Sequence, residues 1–226
     1  MTATSSTRRV PAAVLWDMDG TLVDTEPYWL RAETELVEAW GGVWSAADGL
    51  QLVGSSLEGS ARVLHSRGVD LPIADIIQVM TDRVLEQIRI ELPWRPGARE
   101  LLTEIRQAGI PTALVTMSIR RMADHIAESL SFTGFDVIVA GDEVENGKPD
   151  PEPYLRAAAA LGVTADDCVV LEDSEFGVAA GVASGATTIA VPLHVPLPLS
   201  PAYTRWSTLE GRSLADLIDA AITRTT

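Results

Sequence analysis

The sequence predicts an α/β fold: a Rossmann-like core with a parallel sheet, and a small all-helical cap domain inserted after the first strand. Three observations lead to this prediction. An apolar run near the N-terminus ends on two acidic residues, a stretch of helical patterns without strands follows, and strands and helices then alternate. Such alternation is typical of βαβ units and therefore of parallel strands. With 226 residues, 46% of them apolar, the chain can bury a core of this kind.

The first predicted strand covers residues 14–16 and ends on Asp17 and Asp19, and Gly20 lets the backbone turn away. Ligands of open α/β sheets bind beyond the carboxyl ends of the strands, so both acids are expected to face a site. Side chains two residues apart in an extended segment point to the same side, which lets them address one reactant. An acidic turn or a calcium loop is the alternative, but a calcium loop is flanked by helices, whereas an apolar strand precedes these acids.

The predicted cap covers residues 24–94. Helical patterns run from Glu26 to Trp40, from Ser56 to Gly68 and from Ile73 to Leu92, and no strand pattern interrupts them. We therefore predict that residues 1–23 and 95–226 form one discontinuous core, with hinges near Asp24 and Trp94. The cap holds five arginines, twelve acids and no lysine, a net charge of −7 that disfavours substrates with several phosphates.

The segment after the cap alternates between strands and helices. The predicted strands are Ile110 to Thr116, Asp136 to Ala140, Cys168 to Leu171 and Thr187 to Val191, and the predicted helices are Ala98 to Ala108, Ile119 to Leu130, Pro151 to Leu161, Phe176 to Ser184 and Leu214 to Ile222. The proline-rich residues 191–201 are predicted to form a loop.

Three more polar motifs stand at predicted strand ends or helix starts. Thr116 and Met117 mark a strand-to-helix junction, where a hydroxyl and free N–H groups suit a phosphate oxygen, although a plain helix cap is as good an explanation of the threonine. Lys148, the only lysine of the chain, precedes a helix; its compact ammonium suits a place between a carboxylate and a phosphate, and a surface lysine at a turn is the alternative. Glu172 and Asp173 close another apolar strand.

These carboxylates predict a metal ion. Together with the two acids of the first strand, Glu172 and Asp173 bring four carboxylates into one crevice, which requires a bound cation or proton uptake. Oxygen ligands and a phosphate substrate favour Mg²⁺ as that cation.

The four motifs resemble, in order and position, the signatures of the haloacid dehalogenase-like (HAD) phosphohydrolases, and the resemblance covers residues 14–190. It implies that Asp17 is a nucleophile that forms an aspartyl-phosphate and that Asp19 is the general acid and base. It also implies that Thr116, Met117 and Lys148 bind the phosphate. The helical insert after the first motif resembles that of the β-phosphoglucomutase-like branch.

The same resemblance implies the ligands of the metal. They would be the carboxylates of Asp17 and Asp173 and the backbone carbonyl of Asp19, with Glu172 as a further ligand or as a hydrogen-bond acceptor behind them. Among the aromatic residues of the predicted cap, Trp29 is the one expected to face the crevice and contact the substrate.

The predicted function is a Mg²⁺-dependent phosphatase acting on a small phosphorylated metabolite, such as a sugar-phosphate monoester. A sugar-phosphate mutase is the alternative. By resemblance, β-phosphoglucomutase has a hinge histidine where this chain has Trp29, a cap arginine where it has Leu57, and a cap lysine that is missing here; Arg62, one turn further along, keeps the mutase open. A phosphate- or metal-binding protein without turnover is a third possibility, weakened because every catalytic residue type is present.

Charge and cysteine content limit the other functions and the partners. A net charge of −15 without any basic run argues against nucleic acid and anionic membranes as partners. The single cysteine, Cys168, lies in an apolar run and is expected to be a buried structural thiol in a reducing compartment. Residues 1–9 are polar and lack the apolar segment of a signal peptide, so a cytoplasmic location is expected. A monomer is the default expectation.

Overall fold

The computed structural model describes residues 10–223, so the polar residues 1–9 lie outside the described part. The strands are β1 (Ala13–Trp16), β2 (Thr112–Val115), β3 (Val137–Val139), β4 (Cys168–Glu172), β5 (Thr187–Ala190) and β6 (Thr204–Arg205). The α-helices are α1 (Glu26–Ala39), α2 (Ala46–Leu50), α3 (Leu57–Ser66), α4 (Ile73–Ile90), α5 (Ala98–Gln107), α6 (Arg120–Glu128), α7 (Glu152–Ala160), α8 (Glu175–Ala183) and α9 (Leu214–Thr223).

The strands form one parallel sheet in the order β3-β2-β1-β4-β5-β6, which confirms the predicted α/β fold. The first strand lies in its middle, between β2 and β4, and Val14 pairs with Thr112 on one side and with Val169 on the other. All four residues of β1 are fully buried. Residues that follow β1, β2 and β4 therefore meet at one edge of the sheet, where ligands of such folds bind.

Helices α1 to α4 lie between β1 and α5 in the chain and pack on one another, α3 and α1 against α4 and α2 against α1. The chain crosses between these helices and the sheet twice, side by side. There the backbone N–H of Asp24 donates to the carbonyl of Pro93 at 2.7 Å, and Val23 forms an antiparallel bridge with Trp94. The division at residues 24 and 94 into a core and a cap stays a prediction.

Contacts of α4 and of Gly54 help to join the helical segment to the sheet side of the molecule. Arg121 of α6 binds Asp82 of α4 at 2.5 Å. Gly54 packs so closely on the start of α8 that a Cβ at this position would lie 2.9 Å from Cβ of Ser174. The backbone of Gly54 has a φ of +77°, a conformation that glycine adopts without steric cost. The helices therefore close over the edge of the sheet.

The sequence pattern located every strand and α-helix of the described residues except α2 and β6, with ends that differ by at most two residues. Helix α2 spans five residues and begins with a capping box between Ser45 and Asp48, too short for a periodic pattern. Strand β6 spans two residues at the edge of the sheet. Neither element is long enough to produce a hydrophobic repeat.

Cys168 is buried at the start of β4, as expected for a structural thiol. Its thiol donates to the carbonyl of Thr164 at 3.2 Å, and burial, together with the charge of Asp167, raises its pKa to about 11. Such a thiol stays protonated at neutral pH. Within residues 10–223, none of the helices has the length and apolar character needed to cross a bilayer.

Candidate active site

The predicted site residues come together in one cleft between the carboxyl edge of the sheet and the helices above it. Asp17 and Asp19 follow β1, Thr116 follows β2, Asp173 follows β4, and Lys148 precedes α7. Met117 and Trp29 also line this cleft, which encloses about 820 Å³ including its open mouth. Glu172, the last residue of β4, lies behind the wall and is fully buried.

Lys148 is a buried cation with three acceptors. Its Nζ donates to Oδ1 of Asp17 and to Oε1 of Glu172, both at 2.6 Å, and to the carbonyl oxygen of Val115 at 3.0 Å. Burial lowers the pKa of Lys148, but the two carboxylates outweigh it and raise the pKa overall. The ammonium is therefore charged and fixed against Asp17.

Glu172 is held by donors on both of its oxygens. Besides Lys148, the hydroxyl of Tyr154 donates to Oε1 at 2.6 Å. Oε2 accepts the backbone N–H groups of Asp173 at 3.0 Å and of Ser174 at 3.3 Å, and the Ser174 hydroxyl at 3.3 Å. No side chain fits beside it, because a Cβ on Gly177 would lie 1.9 Å from its carboxyl carbon. Its orientation is therefore fixed by the fold.

One carboxylate oxygen of Asp17 accepts a hydrogen bond from Lys148, and the other accepts none from the described residues. Its Oδ2 is buried and has no hydrogen-bond partner among the described residues. One oxygen each from Asp17, Glu172 and Asp173 lie within 4.8 Å of one another. Burial raises the pKa of Asp17 to about 7, and the charge of Glu172 adds to the effect while Lys148 opposes it. Burial raises the pKa of Asp173 well above its usual value, and the charges of Asp17 and Glu172 add to the effect.

This donor set fits a hard divalent cation. Buried carboxylates with raised pKa values and a buried oxygen without a partner are the arrangement that a cation stabilises. All the available donors are oxygens, which suits Mg²⁺. The loop after β1 packs closely on Asp173, because a Cβ at Gly20 would lie 2.1 Å from Oδ2 of Asp173. There is therefore no room for a side chain at position 20.

Asp19 accepts hydrogen bonds from both sides of the cleft. Its Oδ1 is reached by the Thr25 hydroxyl at 2.5 Å and by the indole N–H of Trp29 at 3.3 Å. Its Oδ2 is reached by the hydroxyls of Thr116 at 3.2 Å and Ser118 at 2.8 Å. The carboxyl group therefore connects the start of α1 with the end of β2.

These contacts give the predicted phosphate-binding residues further partners. The Thr116 hydroxyl donates to Asp19 and accepts the backbone N–H of Ser118 at 2.9 Å. The thioether of Met117 accepts the backbone N–H of Lys148 at 3.3 Å, so this side chain fixes the loop that carries the lysine. From the sequence, Met117 was expected only to bind phosphate.

Three buried residues of the site escaped the sequence analysis. They are Tyr154 and Ser118, described above, and Arg95, which donates to the carbonyls of Gly20 at 2.5 Å and of Val191 at 2.7 Å. Arg95 thereby ties the loop after β1 to the end of β5. In the sequence, the one available signal for Arg95 was its place before a proline and a glycine at the second crossing.

The helical side of the cleft is apolar and acidic. Apolar side chains of α3 and α4 form part of its wall, namely Leu57, Ala61, Leu64, Ile77 and Met80. Glu26 and Glu33 of α1 also line it, and the indole N–H of Trp44 donates to Oε2 of Glu33 at 3.0 Å. Burial raises the pKa of Glu33 to about 7. The pKa of Glu26 is raised to about 8, mainly by burial and to a smaller extent by the charge of Glu33.

Comparison with known proteins gives consistent matches. The family described as haloacid dehalogenase-like hydrolase matches residues 11–185. The phosphorylated carbohydrates phosphatase of Thermotoga maritima is 34% identical over 187 residues, 80% of this chain and 85% of that protein. A variant of CbbY from Rhodobacter sphaeroides, solved with xylulose-1,5-bisphosphate, is 30% identical with a TM-score of 0.81, over 89% of this chain and 96% of that one. A putative β-phosphoglucomutase structure from Thermotoga maritima is 28% identical with a TM-score of 0.69, over 92% and 98%.

Proposed function

We propose a substrate and a mechanism for this chain, which belongs to the haloacid dehalogenase-like hydrolases and is a phosphoric monoester hydrolase. Its substrates in this proposal are small phosphorylated metabolites of the sugar-phosphate kind. The observation that carries the proposal is the pair of acids after β1, with Asp17 fixed by Lys148 and Asp19 fixed by four donors at the same cleft. Similarity to a phosphatase of phosphorylated carbohydrates supports the substrate class.

In the proposed mechanism, Asp17 attacks phosphorus and the bond from phosphorus to the leaving oxygen breaks, giving an aspartyl-phosphate. Asp19 gives its proton to the leaving oxygen. Water then attacks the phosphorus, Asp19 takes the proton of that water, and inorganic phosphate leaves with Asp17 restored. Three of the four donors to Asp19 are hydroxyls, those of Thr25, Thr116 and Ser118. A hydroxyl can donate or accept a hydrogen bond, so these contacts suit both the protonated and the ionised form of Asp19.

The free oxygen of Asp17 and the carboxylate of Asp173 are proposed to hold Mg²⁺, together with the backbone carbonyl of Asp19. When bound, the ion supplies positive charge against the phosphate and the carboxylates. Glu172 was predicted as a ligand or as an acceptor behind the ligands. Because donors occupy both of its oxygens, we assign it the second role, in which it holds Lys148 beside Asp17.

We also propose that residues 24–94 act as a cap that encloses the leaving group. The mutase remains a second candidate because a putative β-phosphoglucomutase is among the similar structures. Arg62, the residue that kept this alternative open, binds Glu58 at 2.5 Å on the exposed side of α3 and does not line the cleft. The cleft therefore offers a mutase no arginine at this position, and hydrolysis is favoured.

Phosphate release from a panel of sugar and polyol monophosphates, measured with Mg²⁺, tests the proposal, with the Asp17→Asn variant as the control for contaminating phosphatases. We expect release by the wild type and none by the variant. No release from any ester, including p-nitrophenyl phosphate, would mean binding without turnover. Conversion of β-glucose 1-phosphate to glucose 6-phosphate faster than phosphate release, with a trace of glucose 1,6-bisphosphate present, would establish the mutase.

A further inference from the structure

The inner surface of the helical segment lacks positive charge. Lys148 is the one lysine or arginine among the described residues that line the cleft, and its three donors are already used on Asp17, Glu172 and the carbonyl of Val115. A second phosphate on the substrate would reach the side of the cleft opposite this lysine, where α1, α3 and α4 form the wall. Charged groups on a ligand need a partner when water is removed from around them.

The arginines of the helical segment are engaged elsewhere. Arg31, Arg62 and Arg67 form ion pairs with Glu35, Glu58 and Asp48 at 3.0, 2.5 and 2.9 Å. Arg83 donates to the carbonyl of Ala32 at 3.2 Å, and Arg89 is exposed and does not line the cleft. No guanidinium of this segment is therefore positioned to bind an anion in the cleft.

The polar groups that line the helical side of the cleft are carboxyl, hydroxyl and indole groups rather than cations. Glu26 and Glu33 line it from α1, and Ser55 and Ser60 line it from the other side. Trp44 already donates to Glu33, whereas no hydrogen-bond donor among the described residues reaches the carboxyl group of Glu26. Glu26 is partly buried and faces the same cleft as Asp19. Its carboxyl group is thus a partly buried group on the cleft wall that accepts no hydrogen bond from the described residues.

We infer that the cleft selects monophosphate esters whose leaving group is uncharged and hydroxylated, with Glu26 as the acceptor for a substrate hydroxyl, and that it rejects bisphosphates. The apolar wall of α3 and α4 suits the carbon skeleton of such a leaving group. On this side of the cleft a second phosphate would meet two carboxyl groups, two serine hydroxyls and apolar side chains, but no lysine or arginine of the described residues. This inference rests on the proposed function, and it deepens it by naming what the leaving group carries.

Binding to the Asp17→Asn variant is the test, since binding is measured whether or not the wild type turns over. Isothermal titration with fructose 6-phosphate and fructose 1,6-bisphosphate, at pH 8.5 with Mg²⁺, compares ligands that differ in one phosphate. We expect the bisphosphate to bind at least tenfold more weakly. Adding Glu26→Gln to the Asp17→Asn variant keeps the shape of the side chain and removes its charge. We therefore expect the ratio of the dissociation constant of the bisphosphate to that of the monophosphate to fall at least threefold. Glu35→Gln, on the exposed face of the same helix, is the matched control and should leave the ratio unchanged.

Equal or tighter binding of the bisphosphate overturns the inference, as does undetectable binding of the monophosphate. An unchanged ratio in the Glu26→Gln background also overturns it, because the discrimination would then arise elsewhere. Failure of the proposed function has a different signature, namely absence of phosphate release from every ester by the wild type. The two failures are therefore distinguished by two measurements, ligand binding to the Asp17→Asn variants and phosphate release by the wild type.

Discussion

Removal of the Tyr154 hydroxyl tests whether Glu172 acts as the support of Lys148. Tyr154 is fully buried, and its hydroxyl donates to Oε1 of Glu172 at 2.6 Å, the oxygen that also accepts from Lys148. A hydrogen bond to a charged group contributes about 1.5–3 kcal/mol. Because Oε1 keeps the ammonium as a partner in Tyr154→Phe, we expect a loss near the lower end, about 2 kcal/mol.

That loss has two consequences that can be measured. For a chain of this length it lowers Tm by about 4–8 °C. It also loosens Lys148 against Asp17, and a misorientation that costs about 1.4 kcal/mol in the transition state reduces kcat about tenfold. Tyr154 does not line the cleft, so KM should change little.

Thermal unfolding and steady-state kinetics of Tyr154→Phe and Tyr203→Phe, side by side, provide the assay. Tyr203 donates to the carbonyl of Pro198 in a partly exposed loop and does not line the cleft. Its variant should lose less than about 0.5 kcal/mol and no activity. A Tm and a kcat for Tyr154→Phe equal to those of the control would refute the supporting role. A raised KM with unchanged kcat would instead place Tyr154 in substrate binding.

Further predictions follow from the acids and the lysine. Asp17→Asn should retain substrate binding and lose essentially all turnover, because an amide does not attack phosphorus; appreciable activity would exclude Asp17 as nucleophile. Asp19→Ala should lose less activity towards p-nitrophenyl phosphate than towards alkyl phosphates, and an equal loss would contradict its role as acid. Chelation with EDTA should abolish activity and added Mg²⁺ restore it, whereas activity that resists chelation would exclude the proposed metal site. Lys148→Arg should stay below a tenth of wild-type kcat, since a planar fork does not match three acceptors around one nitrogen; full activity would make any cation sufficient.

The sheet and the position of its polar edge were predictable because short-range signals determine them. An apolar run that ends on Asp17, or on Glu172, indicates a strand and its terminus without knowledge of any partner. Once the strands are parallel, their carboxyl ends must lie together, which brought Thr116 into the same predicted site as Asp17. Lys148 precedes a helix, and only the family resemblance placed it there. Helix α2 and strand β6 were missed because five and two residues carry no repeat.

The hydrogen bonds within the site were not predictable in the same way. Thr116 and Asp19 are 97 residues apart, and nothing local indicates that the hydroxyl would donate to this carboxylate rather than to a substrate. Tyr154 stands in an alanine-rich helix whose pattern indicates burial but no partner. The acidic charge of residues 24–94 was evident from composition, yet which two of twelve acids face the cleft depends on how α1 packs on α4.

The balance between hydrolysis and phosphoryl transfer depends on the same packing. A mutase must keep water from the aspartyl-phosphate and hold a second phosphate while the intermediate turns around. In this chain the residue at the predicted hinge position is Trp29, whose indole N–H donates to Asp19, and the wall above it carries carboxyl groups of Glu26 and Glu33. Among the described residues this wall offers a second phosphate no lysine or arginine, whereas an uncharged leaving group can depart and leave room for water. The lack of a cation on the described helical wall therefore favours hydrolysis by the same argument that excludes bisphosphates.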